Sequence, residues 1–195
     1  VVAAVGGQET ASSLSVLVQN RAQPDERLLA VDAQTGSTHE LLHESDPAWL
    51  NLDPRPMPVW LKDGRGFLWT TERNGAWQLE LHSANGAFVR AITPVDFGLE
   101  KFIGLDGPEQ SVLVTGGPDA RERHLFRFPL EKADEPKRLT SESGRHDAEM
   151  SEAKEFFLHQ FNLLDGRSGW EVLRTLDGAK VCALPSVAGL GIDAH

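Results

Sequence analysis

Several short patterns in this chain have residue types that do chemistry. His39-Glu40-Leu41-Leu42-His43 matches H-E-x-x-H, in which a helix sets two imidazoles one turn apart on a zinc ion and the glutamate acts as base. Ser151-Glu152-Ala153-Lys154 has the S-x-x-K spacing of penicillin-recognising enzymes, and Gly166-Arg167-Ser168-Gly169 is the string nearest to a G-x-S-x-G nucleophile elbow. His146-Asp147 has the composition of a proton relay. Trp49, Trp60, Trp69, Trp77 and Trp170 offer stacking surfaces, and Trp49 opens a stiff connection, Trp49 to Pro58, with three prolines and the charged Asp53 and Arg55.

Each chemistry needs a particular element beneath it. Zinc ligation by H-E-x-x-H needs a helix, yet Gly36 and Pro47 bracket the segment, and on a strand His39 and His43 stand about 13 Å apart. Two surface histidines are the expectation, with the zinc peptidase kept as a minor alternative. S-x-x-K lacks its Ser-Asp-Asn and Lys-Thr-Gly companions, and Gly166 to Gly169 has the wrong spacing for an elbow. No serine or cysteine is placed to partner His146. The sequence therefore predicts no catalytic residue, no metal and no cofactor in this chain, and at least three of the tryptophans are expected in the core.

The elements themselves repeat. Arg27 to Glu44, Trp77 to Thr93, His124 to Thr140 and Trp170 to Pro185 each read as an alternating strand, a turn and a second strand. Gly36 and Gly86 are 50 residues apart, Thr93 and Thr140 are 47 apart, and Gly86 and Gly178 are 92 apart, or two steps of 46. That period belongs to a propeller blade of four strands. Asp63-Gly64 and Asn74-Gly75 supply hairpin turns in the upstream half of one unit. The fold class is all-β: a partial β-propeller of about four consecutive four-stranded antiparallel blades, near 1–44, 49–93, 98–140 and 146–185, in a single segment over 1–195.

One stretch opposes this. Asp147 to Asp165 is rich in Glu, Ala and Leu, lacks Gly and Pro, and is followed by Gly166, which by propensity reads as a helix. The repeat predicts two strands instead, Asp147 to Ser151 and Glu155 to Asn162. Tertiary context outweighs propensity here, because the Trp170 hairpin needs inner strands to pair with.

Composition excludes several functions. Nineteen basic against 29 acidic residues give a net charge of −10, the wrong sign for nucleic acid. The longest uncharged run, Val181 to Ile192, contains Pro185 and is too short for a membrane span. Cys182 is the single cysteine, so no internal disulfide forms, and it is expected as a small core residue.

Dispersed signatures run along these units: Asn20-Arg21 and Gln23 ahead of Val31 to Gly36; Glu44 with Trp49-Leu50-Asn51; Phe67 to Gly75; Arg90 to Thr93; Glu122 to Arg127; and Arg138-Leu139-Thr140 before Gly144 and His146. Together they resemble the N-terminal propeller domain of dipeptidyl peptidase IV-type serine peptidases, in the prolyl oligopeptidase clan. Departures are the complete absence of tyrosine, Trp77-Gln78 for a His-Leu pair, and the missing proline pair after Phe161.

The resemblance implies an eight-bladed propeller covering a C-terminal α/β-hydrolase domain, with this chain as the propeller's second half. It implies a peptide substrate for the whole protein, a periplasmic or secreted location with the cytoplasm left open, and a cavity-facing role for the loop bearing Trp49, Asp53 and Arg55. The family's paired glutamates for the substrate ammonium have no counterpart here. Two alternatives to a peptidase propeller stand beside it: a free-standing propeller-type binding module and the zinc peptidase. A half ring with exposed terminal faces is also expected to form a homodimer.

Overall fold

Alternating apolar runs broken by Gly, Asp and Asn turns build strands of two to eight residues, which pair with their sequence neighbours as antiparallel meanders. The computed structural model describes residues 2–7, 13–48, 50–51, 57–131 and 135–185, and no helix occurs among them. Four sheets of four strands result. The first holds β1 (Val2–Gly7), β2 (Ser13–Gln19), β3 (Asp25–Asp32) and β4 (Thr38–Ser45). The second holds β5 (Val59–Trp60), β6 (Gly66–Thr71), β7 (Gln78–Ser83) and β8 (Phe88–Ala91). The third holds β9 (Leu99–Leu105), β10 (Ser111–Gly116), β11 (His124–Pro129) and β12 (Lys137–Arg138), and the fourth β13 (Gly144–Met150), β14 (Phe156–Leu163), β15 (Ser168–Arg174) and β16 (Lys180–Leu184). The chain divides into two compact units, 1–99 and 100–195.

Within each unit one sheet buries its second strand throughout. All six residues of β6 and all six of β10 are buried, the pattern of a strand covered on both faces. In the first unit Leu28, Phe67, Leu68 and Leu79 are wholly buried. In the second, Leu113 and Leu125 pack with Ala148, Phe157 and Leu173 from the adjoining sheet, and Met150 leans on Gly104, which leaves room for it.

The recurring threonine now has a physical reason. Thr93 Oγ1 accepts from Leu79 N–H at 2.9 Å and Thr140 Oγ1 from Leu125 N–H at 3.1 Å, so the hydroxyl extends the ladder where the short outer strand stops. The outer strands share a second device. Pairing skips one residue, a β-bulge, at Leu41 in β4, Val89 in β8 and Val181 in β16.

The stretch 147–165 is strand, not helix. Met150 pairs with Phe157 and Gly144 with Leu163, and Phe157 is 1% exposed in the core, so long-range pairing has overridden local propensity. Two expectations are corrected. Cys182 is exposed on β16, because nothing among the described residues covers that outermost strand. Of the four described tryptophans only Trp69 is buried; Trp60 and Trp77 are half-buried and Trp170 is exposed.

Candidate functional site

The connection after the first sheet is the place where the sequence put its candidate residues. Trp49, Asp53 and Arg55 lie outside the described residues. The described ends of the connection are firmly held. Leu50 N–H donates to the Gln23 carbonyl at 2.6 Å, Gln19 Nε2 donates to the Leu50 carbonyl at 3.2 Å, and Asn51 Nδ2 donates to Glu72 Oε2 at 2.8 Å. At the far end Met57 is buried, and the Met57-Pro58 peptide is cis. Leu50 and Asn51 are therefore tied to the β2–β3 turn and the β6–β7 turn respectively.

At that same end lies a cluster of buried carboxylates that alternation brings inward from three strands. Glu26 on β3 stands opposite Glu44 on β4, and Glu80 on β7 stands opposite Trp69 on β6. The three are 5%, 6% and 2% exposed. Trp69 Nε1 donates to Glu44 Oε1 at 3.2 Å, and the Thr71 hydroxyl also binds Glu44. Arg73 reaches into the cluster with one guanidinium nitrogen 3.5 Å from Glu44 Oε1 and another bonded to Glu80 Oε2. His82 Nε2 is 2.9 Å from Glu80 Oε2, its Nδ1 is 3.0 Å from the Gly86 carbonyl, and its ring stacks on Phe67.

Electrostatics separate the three acids. Burial, reinforced by the charge on Glu44, pushes the Glu26 carboxyl up to about 7, and its Oε2 meets no hydrogen-bond partner among the described residues. Burial also raises Glu44, against the opposing pull of Thr71, Trp69 and Arg73. Acid outnumbers base in this cluster, so it favours a cationic group over an anionic one.

The sign of the Glu26 shift gives a pH dependence. Its folded pKa lies above the unfolded value, so its contribution is intact below about 4.5 and is lost as pH rises through about 7. Glu26→Gln, which cannot ionise, is expected to exceed the parent in stability by about 1–3 kcal/mol at about pH 8, with the gap closing near pH 5. Chemical denaturation at both pH values checks this, and an equal gap at each would refute it.

The other sequence candidates do not assemble a reactive centre. His39-Glu40-Leu41-Leu42-His43 lies on β4; His43 Nε2 is paired with Asp25 Oδ2 at 2.5 Å and Glu40 with Arg27. No group of three or more His, Cys, Asp or Glu residues could hold a metal ion among the described residues. Lys154 pairs with Glu109, and Ser151 Oγ accepts from the Phe156 amide within a turn. Gly166 to Gly169 runs from a turn into β15. His146 contacts His159 and the Glu142 carbonyl.

Sequence reasoning missed the buried acids. Glu44 was visible only as part of a family signature, and Glu80 sits between Leu79 and Leu81 in a strand buried on both faces. A charged residue inside such a run is the signal that could have found it.

Successive four-stranded antiparallel meanders in sequence order define the class: this is a segment of a β-propeller. The model of the dipeptidyl peptidase IV (DPP IV) N-terminal region matches residues 6–165, and the chain belongs to that family. Solved structures agree on the fold. Dipeptidyl peptidase 4 of Porphyromonas gingivalis superposes with a TM-score of 0.81 at 18% identity, covering 93% of this chain and 25% of that one. A putative dipeptidyl aminopeptidase IV from Bacteroides ovatus gives 0.77 at 16% identity, with 95% and 29% covered. TolB from Acinetobacter baumannii gives 0.62 at 14%, with 92% and 42% covered. The chain thus spans about a quarter of the length of the first of these structures.

Proposed function

We propose that this chain is the noncatalytic propeller portion of a dipeptidyl peptidase IV-like serine exopeptidase. It shapes and gates the cavity through which peptides reach an α/β-hydrolase domain supplied by the rest of the protein. The observation that carries this reading is the family match over residues 6–165 on a chain of four-stranded propeller sheets. Two further observations support it. The described ends of the connection that bears Trp49, Asp53 and Arg55 are held by hydrogen bonds from Gln19 and Asn51, which suits a loop that keeps a fixed place on a substrate path. A Cβ on Gly86, in the outer hairpin of the second sheet, would meet the Leu41 backbone of the first sheet, whereas a Cβ on Gly36, in the outer hairpin of the first sheet, would meet nothing within 4 Å among the described residues, which leaves that hairpin open to a further blade. The same open face would serve a homodimer of half rings, and light scattering of the chain alone distinguishes the two uses.

In the full-length enzyme Arg55→Glu is expected to lower kcat/KM for longer peptides several-fold more than for dipeptide reporters, because remote contacts spend their binding energy on extended substrates. Equal effects on both lengths would remove the loop from the substrate path. A parent reading frame without a G-x-S-x-G elbow would favour the free-standing binding module.

A further inference from the structure

The second unit holds a chain of buried histidines that the proposed function does not use. His146 on β13 and His159 on β14 are 2% and 4% exposed, and His146 Nδ1 lies 2.9 Å from His159 Nε2. One end of the chain is the Glu142 backbone carbonyl, 2.8 Å from His146 Nε2. The other is Glu171 on β15, with Oε1 3.0 Å from His159 Nδ1 and Oε2 2.7 Å from Lys180 Nζ. The contacts cross the fourth sheet from the connection 141–143 to its outermost strand.

Counting protons along this chain gives an uneven sum. A carbonyl only accepts, and Lys180 on the second oxygen keeps Glu171 a carboxylate, which also only accepts. Three contacts need three N–H groups, but two neutral imidazoles carry two. With two protons one contact sets lone pair against lone pair. With three the chain is complete, and with four two N–H groups face each other between the rings.

We propose that His146 and His159 form a one-proton clasp: acidification loads a single shared proton onto the pair, completing an unbroken hydrogen-bonded chain that fastens the connection 141–143 to the fourth sheet. At higher pH one link is open. The surrounding charges fit a limit of one. His124 stacks on His146 with centroids 5.1 Å apart, meets the Thr140 hydroxyl and Glu122, and opposes positive charge on His146. Arg138 and Lys180 oppose added positive charge, while Glu171 attracts it. Glu142 is engaged through its side chain by Arg167, and Asp147 by Lys101 and Arg123.

Burial holds both imidazoles below the ordinary histidine range, so the proton enters on the acid side of it. Burial works against the Glu171 carboxylate, but Lys180 and His159 hold its pKa below the usual value. The sign for stability follows: the unfolded chain takes two protons where the folded pair takes one, so stability is greatest above the histidine range and falls with acid.

The test is nitrogen-15 NMR of the histidine rings in the intact protein, titrated from about pH 8 to about pH 4.5. The expected result is one step in which both rings move together, with uptake of one proton, an Nε2–H on His146 and an Nδ1–H on His159 in the acid form, and the third hydrogen shared between His146 Nδ1 and His159 Nε2. Glu171→Gln provides the second arm, because its amide can donate to His159 Nδ1 and supply the missing hydrogen. That variant should lose the step and keep both rings neutral as Nε2–H tautomers throughout. Two independent steps, one per ring, or a wild-type pattern in Glu171→Gln would overturn the proposal. Should the variant fail to fold, the number of protons in the wild-type step still decides it.

Discussion

Gly86→Ala is expected to cost the first unit about 2–5 kcal/mol. Gly86 closes the β7–β8 hairpin with φ +88°, where an L side chain is strained, and a Cβ there would stand 1.8 Å from the Leu41 carbonyl oxygen. Leu41 is the bulged residue of β4, so its backbone stands proud of the ladder and meets the neighbouring hairpin directly. Backbone against backbone has no rotamer to yield, and the two sheets must separate. Gly75→Ala is the control, since Gly75 has φ +89° but a Cβ there would meet nothing within 4 Å among the described residues; it should cost only the conformational term, about 1–2 kcal/mol. Equal losses in the two variants, read by chemical denaturation, would show that the sheets do not meet at Gly86.

Arg73→Met is expected to cost about 3–5 kcal/mol, the range for stripping one partner from a buried ion pair. Arg73 is itself partly exposed, while its partners Glu44 and Glu80 are not, so its loss leaves two carboxylates buried beside Glu26 without a cation. The deficit should shrink on acidification. Glu44 is already raised above the ordinary carboxylate range by burial, and a raised acid contributes fully at low pH and loses its contribution as pH rises. Denaturation of the variant near pH 5 and pH 8 checks both size and slope. A loss below about 1 kcal/mol, or one that does not change with pH, would mean that solvent reaches these carboxylates.

Strand positions were legible because they depend on short-range chemistry. Asp63-Gly64 and Asn74-Gly75 marked turns that the structure forms, and the fixed spacing of Gly36, Gly86 and Gly178 marked hairpins. The same spacing resolved 147–165 as two strands against its helical composition. Misreadings arose one level up. Alternation says that Trp170 and Cys182 face one side of a sheet, but not whether another layer covers that side; Trp170 remains 39% exposed and Cys182 lies on an exposed edge. The H-E-x-x-H match failed for the converse reason, since a motif carries its chemistry only on the element that sets its geometry, and β4 is a strand.

The residues thus dictated a repeated antiparallel meander, its turns and its family, because each depends on neighbours within about one blade of sequence. The two polar clusters depend on something else. Glu26, Glu44, Arg73 and Glu80 converge because two sheets stack at one particular angle, set partly by the bulge at Leu41 and the glycine that receives it. His146, His159 and Glu171 meet through the register of three strands, and a shift of one residue would turn their side chains to opposite faces. Local pattern supplies the strands, but the protonation of Glu26 and of the histidine pair is a property of the dry interior that their packing creates.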